Sequence, residues 1–209
     1  MKNKKIGIYK YFSSNYYSLI SALDKISVSY EISSNFEDLT NFKKIIIPGI
    51  GNMKHFFNKI EPFEYSKKIN NFIENNGVIY GICLGMQVFL KESEESNAKT
   101  VGIVNGKVKE LKKSFTSGMN VGFKKINFDK KNTVFKNLFK NINENSKFYF
   151  LHKYHCLIDN KVDKMYTNFE NNKIVSGMYK KNILGTQFHP ELSGLNGLKF
   201  LKNFSEHKF

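Results

Sequence analysis

The 209-residue chain has no tryptophan and no arginine, only three prolines and only two cysteines. Each shortage excludes something. Two cysteines, Cys83 and Cys156, are too few for the disulfide framework that staples small secreted domains. All 33 basic residues are lysine, set against 18 acidic ones, for a formal charge of +15. Such a charge invites a nucleic-acid reading. Bidentate contacts to phosphates and base edges, however, are made best by arginine. The lysines are also spread along the chain among Asn, Ile, Phe and Tyr, as on a solvated surface. Nucleic-acid binding is therefore not expected.

No run of eighteen or more apolar residues occurs, so no transmembrane helix is expected. The basic start, Met1-Lys2-Asn3-Lys4-Lys5, lacks the apolar core and small-residue cleavage site of a signal peptide. A cytoplasmic protein without membrane association is expected. Its length and 41% hydrophobic content suit one domain, 1–209, with a substantial core. No repeat or Pro/Gly/Ser-rich linker divides it.

The first half alternates strands and helices. Strands are expected at Lys5 to Tyr9, Ser29 to Ile32, Lys44 to Ile47 and Val78 to Ile82. Helices are expected at Ser18 to Ile26, Phe63 to Asn75 and Leu84 to Leu90. From about Val101 short strand-like pieces follow: Gly102 to Leu111, Phe123 to Asn127, Lys147 to Leu151, Tyr154 to Ile158, Lys164 to Asn168, Ile174 to Tyr179 and Ile183 to Phe188. A final helix is expected from about Leu195 to Phe204. The alternation implies an α/β fold, a doubly wound, mostly parallel sheet with added antiparallel strands.

The sharpest chemical signal is Gly81-Ile82-Cys83-Leu84-Gly85, between an apolar strand and a helix. A nucleophile at such a turn has a strained backbone and a presented side chain, and glycines let neighbouring segments come close. The helix N-terminus favours a thiolate and supplies N–H groups to an oxyanion. Against this stands the usual fate of a free cysteine, which is a small buried core residue. A nucleophilic cysteine needs a base. Among His55, His152, His155, His189 and His207, the best placed is His189, at the end of a strand-like run. Pro190 stops that run, and Glu191 can orient the imidazole and stabilise its cation.

Gly81-Ile82-Cys83-Leu84-Gly85-Met86-Gln87, with Gln187-Phe188-His189-Pro190-Glu191, resembles the class I, triad-type glutamine amidotransferases over nearly the whole chain. Pro48-Gly49-Ile50-Gly51, Phe148-Tyr149-Phe150-Leu151-His152 and the Gln187–Gly194 run are similar to the glutaminase subunits of imidazole glycerol phosphate synthase, in histidine biosynthesis. They fit these better than the CTP, GMP, carbamoyl-phosphate or anthranilate relatives.

The resemblance implies roles. Cys83 would attack the side-chain amide of L-glutamine and form a glutamyl thioester. His189 would carry the proton to ammonia, and Glu191 would hold His189. Backbone N–H groups near Gly51 and at Leu84 would receive the oxyanion, and two glycines in the loop would ease a peptide flip. Gly49, Gln87 and Glu95 would bind glutamine. The acidic run around Glu95, read without the family, is a solvated helix end. Ammonia would pass to a (β/α)8 barrel synthase in a heterodimer, yielding imidazole glycerol phosphate and AICAR. No cofactor and no metal are implied.

Two segments depart from that subfamily. Its Tyr-Gly-x-Gly-Asn-x-x-Ser reads here Tyr11-Phe12-Ser13-Ser14-Asn15-Tyr16-Tyr17-Ser18, and its Pro-His-x-Gly-Trp-Asn reads Met119-Asn120-Val121-Gly122-Phe123-Lys124. In the family both lie toward the synthase. This drift leaves open a paralogue that feeds a surface-sugar (amidino sugar) amidotransferase. A γ-glutamyl hydrolase-like peptidase and a degenerate regulatory scaffold stand as further readings. The His152, His155, Cys156 group matches no standard zinc spacing, and alternating strand faces would separate it. Cys156 is expected in the core, Phe56-Phe57 in the core or at a partner contact rather than at a ligand site, and His55 and His207 at the surface.

Overall fold

The computed structural model describes residues 6–11, 16–49, 51–57, 61–95 and 98–209. Ile50, the 12–15 part of the segment beginning at Tyr11, Lys5 and Ser96 lie outside the described residues. The strands are β1 (Ile6–Tyr9), β2 (Tyr30–Ser33), β3 (Lys44–Ile47), β4 (Val78–Ile82), β5 (Glu92–Ser93), β6 (Ala98–Lys99) and β7 (Gly106–Glu110). They continue as β8 (Asn120–Lys125), β9 (Asn127–Phe128), β10 (Lys147–His152), β11 (Tyr154–Ile158), β12 (Asp163–Phe169), β13 (Asn172–Lys180) and β14 (Ile183–Thr186). The α-helices are α1 (Tyr17–Lys25), α2 (Phe36–Leu39), α3 (Met53–Phe56), α4 (Pro62–Glu74), α5 (Leu84–Gln87), α6 (Thr133–Leu138) and α7 (Gly194–Glu206).

The main sheet has eight strands in the order β2-β1-β3-β4-β14-β13-β12-β9. Its first four pairings are parallel, and those joining β13, β12 and β9 are antiparallel. This is the expected mostly parallel sheet with antiparallel additions. Two smaller sheets, β10-β8 and β11-β7-β5-β6, are built from the middle of the chain.

The parallel strands are apolar on both faces because helices cover both. Alternation along β3 sends Ile45 and Ile47 into one core and Ile46 into the other. Tyr65, Ile69 and Phe72 of α4 fill the first core. Leu19, Ala22 and Leu23 of α1, with Phe200, Leu201 and Phe204 of α7, fill the second. Lys44 Nζ ties the end of α7 to the sheet, donating to the carbonyls of Phe204, Ser205 and His207 at 2.7, 2.9 and 2.7 Å.

Several element boundaries differ from the sequence expectation. The helix expected over Leu84 to Leu90 stops at Gln87; Val88, Phe89 and Leu90 continue as a fully buried turn into the core. The strand expected from Gly102 begins only at Gly106. The strand expected over Phe123 to Asn127 is β8, shifted three residues earlier, followed by a separate β9. The strand expected over Ile183 to Phe188 ends at Thr186, and the chain then turns to pair His189 with Tyr149. Three short helices, α2, α3 and α6, carry too few turns for a periodic signal. Asn52 and Asn132 cap two of them by accepting from the N–H groups of His55 and Phe135.

Candidate active site

β3, β4 and β14 are neighbours in the parallel sheet, so their carboxyl ends deliver three loops to one place. Open α/β sheets bind ligands beyond these strand ends. β3 leads into Pro48-Gly49, β4 into Cys83, and β14 into Gln187-Phe188-His189.

Cys83 has φ +49° and ψ −105°. For a side-chain-bearing residue this conformation costs about 1–3 kcal/mol and persists only where the surroundings impose it. They do so here. The Cys83 N–H donates to the Thr186 carbonyl at 2.6 Å, and its carbonyl receives the N–H groups of Met86 and Gln87. A Cβ on Gly81 would stand 2.1 Å from the Gly85 carbonyl oxygen, so the strand and the helix that follows it meet through glycine alone. A Cβ on Gly49 would stand 2.0 Å from the Ile82 carbonyl oxygen, so the Pro48-Gly49 loop also packs directly on the turn.

His189 is buried behind this turn. Its N–H donates to the Tyr149 carbonyl at 2.9 Å, and its own carbonyl accepts from Ser193 Oγ at 2.6 Å. Nδ1 lies 2.7 Å from Glu191 Oε1. That contact occupies Nδ1 and leaves Nε2 free to serve the sulfur of Cys83, which lines the same cavity. Burial opposes protonation of His189. The charges of Cys83 and Glu191, with ring N–H donation to each, outweigh it and hold the pKa well above the usual 6.5. The arrangement favours an imidazolium between a sulfur and a carboxylate. Such a group can donate a proton to a leaving amine.

Cys83 opens onto a cavity of about 280 Å³. Gly49, Gly51, Leu84, Gln87, Glu95 and His189 all line it. The structure thus brings together the residues to which the resemblance gives roles, with Glu191 just behind His189. Glu95 is half-buried, and burial pushes its carboxyl upward against a hydrogen bond from the Met53 backbone. It faces the cavity and is not the solvated helix end of the plain reading. The Leu84 N–H points at the Gly49 carbonyl oxygen at 3.4 Å. A larger cavity, about 600 Å³, lies among Lys125, Phe128, Lys136 and Phe139 and contains none of these residues.

Three polar groups at the site received no role from the sequence. Gln187 is fully buried, and its amide lies 3.3 Å from Cys83 Sγ. The Tyr11 hydroxyl donates to the Pro48 carbonyl at 3.0 Å. His152 is buried on the cavity wall beside Asn120. Gln187 stands in the family motif two residues before His189, and that position was its signal. His152, His155 and Cys156 are buried side chains, Cys156 inside the first core, and among the described residues no group of three His, Cys, Asp or Glu could hold a metal ion.

The family model for class I glutamine amidotransferases matches residues 8–207. The chain belongs to this family. It is a glutamine amidotransferase. Among its relatives is "Imidazole glycerol phosphate synthase subunit HisH" of Chlorobaculum tepidum, 33% identical, with 96% of this chain and 99% of the relative covered. The protein of the same name from Buchnera aphidicola is 39% identical, with 92% and 94% covered. Among solved structures, PurLQS from Thermotoga maritima superposes with a TM-score of 0.66 at 17% identity, covering 96% of this chain and 97% of that one. A glutamine amidotransferase from Thermotoga maritima gives 0.64 at 12% identity, covering 99% and 84%. These two show the shared fold.

Proposed function

We propose that the chain is the glutaminase subunit of an imidazole glycerol phosphate synthase, with Cys83, His189 and Glu191 as its catalytic triad. The observation that carries the reading is the strained Cys83 backbone facing an imidazole held 2.7 Å from Glu191. Cys83 Sγ attacks Cδ of glutamine, and a tetrahedral oxyanion forms. Its collapse breaks the C–N bond as His189 gives its proton to the leaving ammonia. Water, deprotonated by His189, then hydrolyses the thioester to glutamate and restores the thiol. Throughout, Glu191 keeps the imidazole oriented and charged.

Gln87 and Glu95 are proposed to hold the α-amino and carboxyl end of glutamine, with the Gly49 backbone also lining the cavity. The cavity is small for a ligand site, which suits a single amino acid better than a γ-glutamyl peptide. The oxyanion is proposed to be received at Leu84 and near Gly51. In this structure the Leu84 N–H is turned to the Gly49 carbonyl, so the loop must move before it can serve. This supports low partner-free activity.

The partner is proposed to be a (β/α)8 barrel synthase, joined as a heterodimer, which takes the ammonia to make imidazole glycerol phosphate and AICAR. The match over residues 8–207 supports one amidotransferase domain. No helix among the described residues is long and apolar enough to cross a membrane. A cytoplasmic location fits the biosynthetic role. The altered segment at 119–124 keeps a second reading in view, a subunit serving a surface-sugar amidotransferase. Reconstitution decides between them: glutamine-dependent synthase activity with a histidine-pathway barrel supports the first reading, and its failure beside activity with a sugar amidotransferase supports the second.

A further inference from the structure

Five buried polar side chains and one carbonyl form a continuous hydrogen-bonded chain that ends on the sulfur of Cys83. Asn120 Nδ2 lies 2.8 Å from His152 Nε2. His152 Nδ1 lies 2.7 Å from the Tyr154 carbonyl oxygen. The same carbonyl accepts from Gln87 Nε2 at 3.1 Å. Gln87 Nε2 also donates to Gln187 Oε1 at 3.0 Å, and Gln187 Nε2 donates to Cys83 Sγ at 3.3 Å. Asn120 and Gln187 are fully buried, and Gln87, His152 and Cys83 nearly so.

A single backbone carbonyl fixes the direction of every bond in this chain. The Tyr154 oxygen can only accept. The His152 nitrogen beside it must therefore carry the proton, which makes Nε2 the acceptor and turns the NH2 of Asn120 toward it. The Gln87 group beside the same oxygen must be its NH2. Both of that group's hydrogens are then used, one on Tyr154 and one on Gln187. Gln187 must answer with its oxygen, so its NH2 is aimed at Cys83. A flipped Gln187 would set two NH2 groups together and an oxygen against sulfur. Burial makes such a mismatch costly, since water cannot substitute.

We propose that Gln187 is a positioning residue: its amide donates to the Cys83 thiolate and locks Gln87 with its carbonyl oxygen left to the substrate. An N–H donor favours the charged form of the sulfur it meets. Because both Gln87 hydrogens are engaged, only Gln87 Oε1 remains to accept from the α-ammonium of glutamine. The Cys156 thiol, 3.9 Å from Gln187 Oε1, closes the far side of the same amide. The inference rests on Cys83 being the nucleophile.

The test is the pH–rate profile for alkylation of Cys83 by iodoacetamide in the full chain, followed by peptide mass spectrometry. Gln187→Met preserves size while removing the donor, and Gln187→Glu replaces the donor with an acceptor. The profile is expected to move to higher pH in both, further for Gln187→Glu, with the rate at neutral pH falling about threefold to tenfold in Gln187→Met. An unchanged profile in folded variants overturns the proposal. If neither variant folds, the wild-type chain gives the answer by nuclear magnetic resonance. The Gln187 side-chain amide signals should shift with the same pH midpoint as the alkylation rate, and signals that ignore pH overturn it. Glutamine hydrolysis that survives complete alkylation of Cys83 would instead sink the nucleophile reading, so the two failures are distinct.

Discussion

Nδ1 of His189 stands 2.7 Å from Oε1 of Glu191, and both side chains are almost completely buried. A buried charge is tolerated where a partner and hydrogen bonds compensate it. Here the carboxylate, with the sulfur on the other side of the ring, is what keeps an enclosed histidine protonated. Glu191→Gln keeps the shape and removes the charge. Glutamine hydrolysis is expected to fall by up to about 10⁴-fold, as the imidazole loses its orienter and part of its proton. Steady-state kinetics of the complex with its synthase check this, and a loss below about tenfold would contradict it.

Gly49 has no room for a side chain, because an added Cβ would meet the Ile82 carbonyl oxygen. Gly49→Ala is expected to destabilise the chain by about 1–3 kcal/mol and to displace the turn that carries Cys83. Urea denaturation measures the first effect, and the alkylation rate of Cys83 measures the second.

His152 is buried with its pKa pushed down to about 3. Burial is the main cause, with the positive charges of His189, His155 and Lys124 adding to it against the hydrogen bond to Tyr154. In the unfolded chain the same ring takes a proton near about pH 6.5. Between about pH 6.5 and 3 the unfolded state therefore binds more protons than the folded one. The stabilisation is fully present above about pH 6.5 and is lost as pH falls, with a slope of up to about 1.4 kcal/mol per pH unit. His155, also depressed by burial, adds in the same direction. His152→Gln should flatten this acid limb in denaturation curves taken from about pH 7 to about pH 4. An unchanged slope would contradict the assignment.

Phe123 and Val121 of β8 and Leu151 of β10 are exposed apolar side chains, and Leu151, which pairs with Val121, lines the cavity together with Met119. The resemblance turns the 119–124 segment toward the synthase, so these side chains should tolerate polar replacement in the isolated chain. Phe123→Asp is expected to change stability by less than about 0.5 kcal/mol while weakening association with the synthase at least about tenfold. Calorimetric titration against the barrel measures the second effect. Unchanged affinity would move the docking face elsewhere.

Much of this was readable from the sequence where chemistry and local pattern agreed. The Ile-rich β3 and β4 each announce a buried parallel strand, and Gly81 and Gly85 announce a turn too tight for side chains. Their partnership with His189 rests on β4 and β14 being neighbours, a long-range fact that no local pattern contains. Boundaries failed where tertiary packing overrode periodicity, as at Val88 to Leu90, whose apolar run suits a helix but folds as a core turn. The role of Gln187 was hidden for a different reason. Its meaning depends on which end of an amide faces sulfur, and only the Tyr154 carbonyl, distant in sequence, decides that.

Attack of Cys83 on glutamine can be observed directly. The chain with its synthase is mixed with glutamine, quenched in acid during turnover, digested and analysed by mass spectrometry. A glutamyl thioester is expected on the peptide carrying Cys83, with no glutamate production in Cys83→Ala. Glutamate formed at an undiminished rate by Cys83→Ala would contradict it.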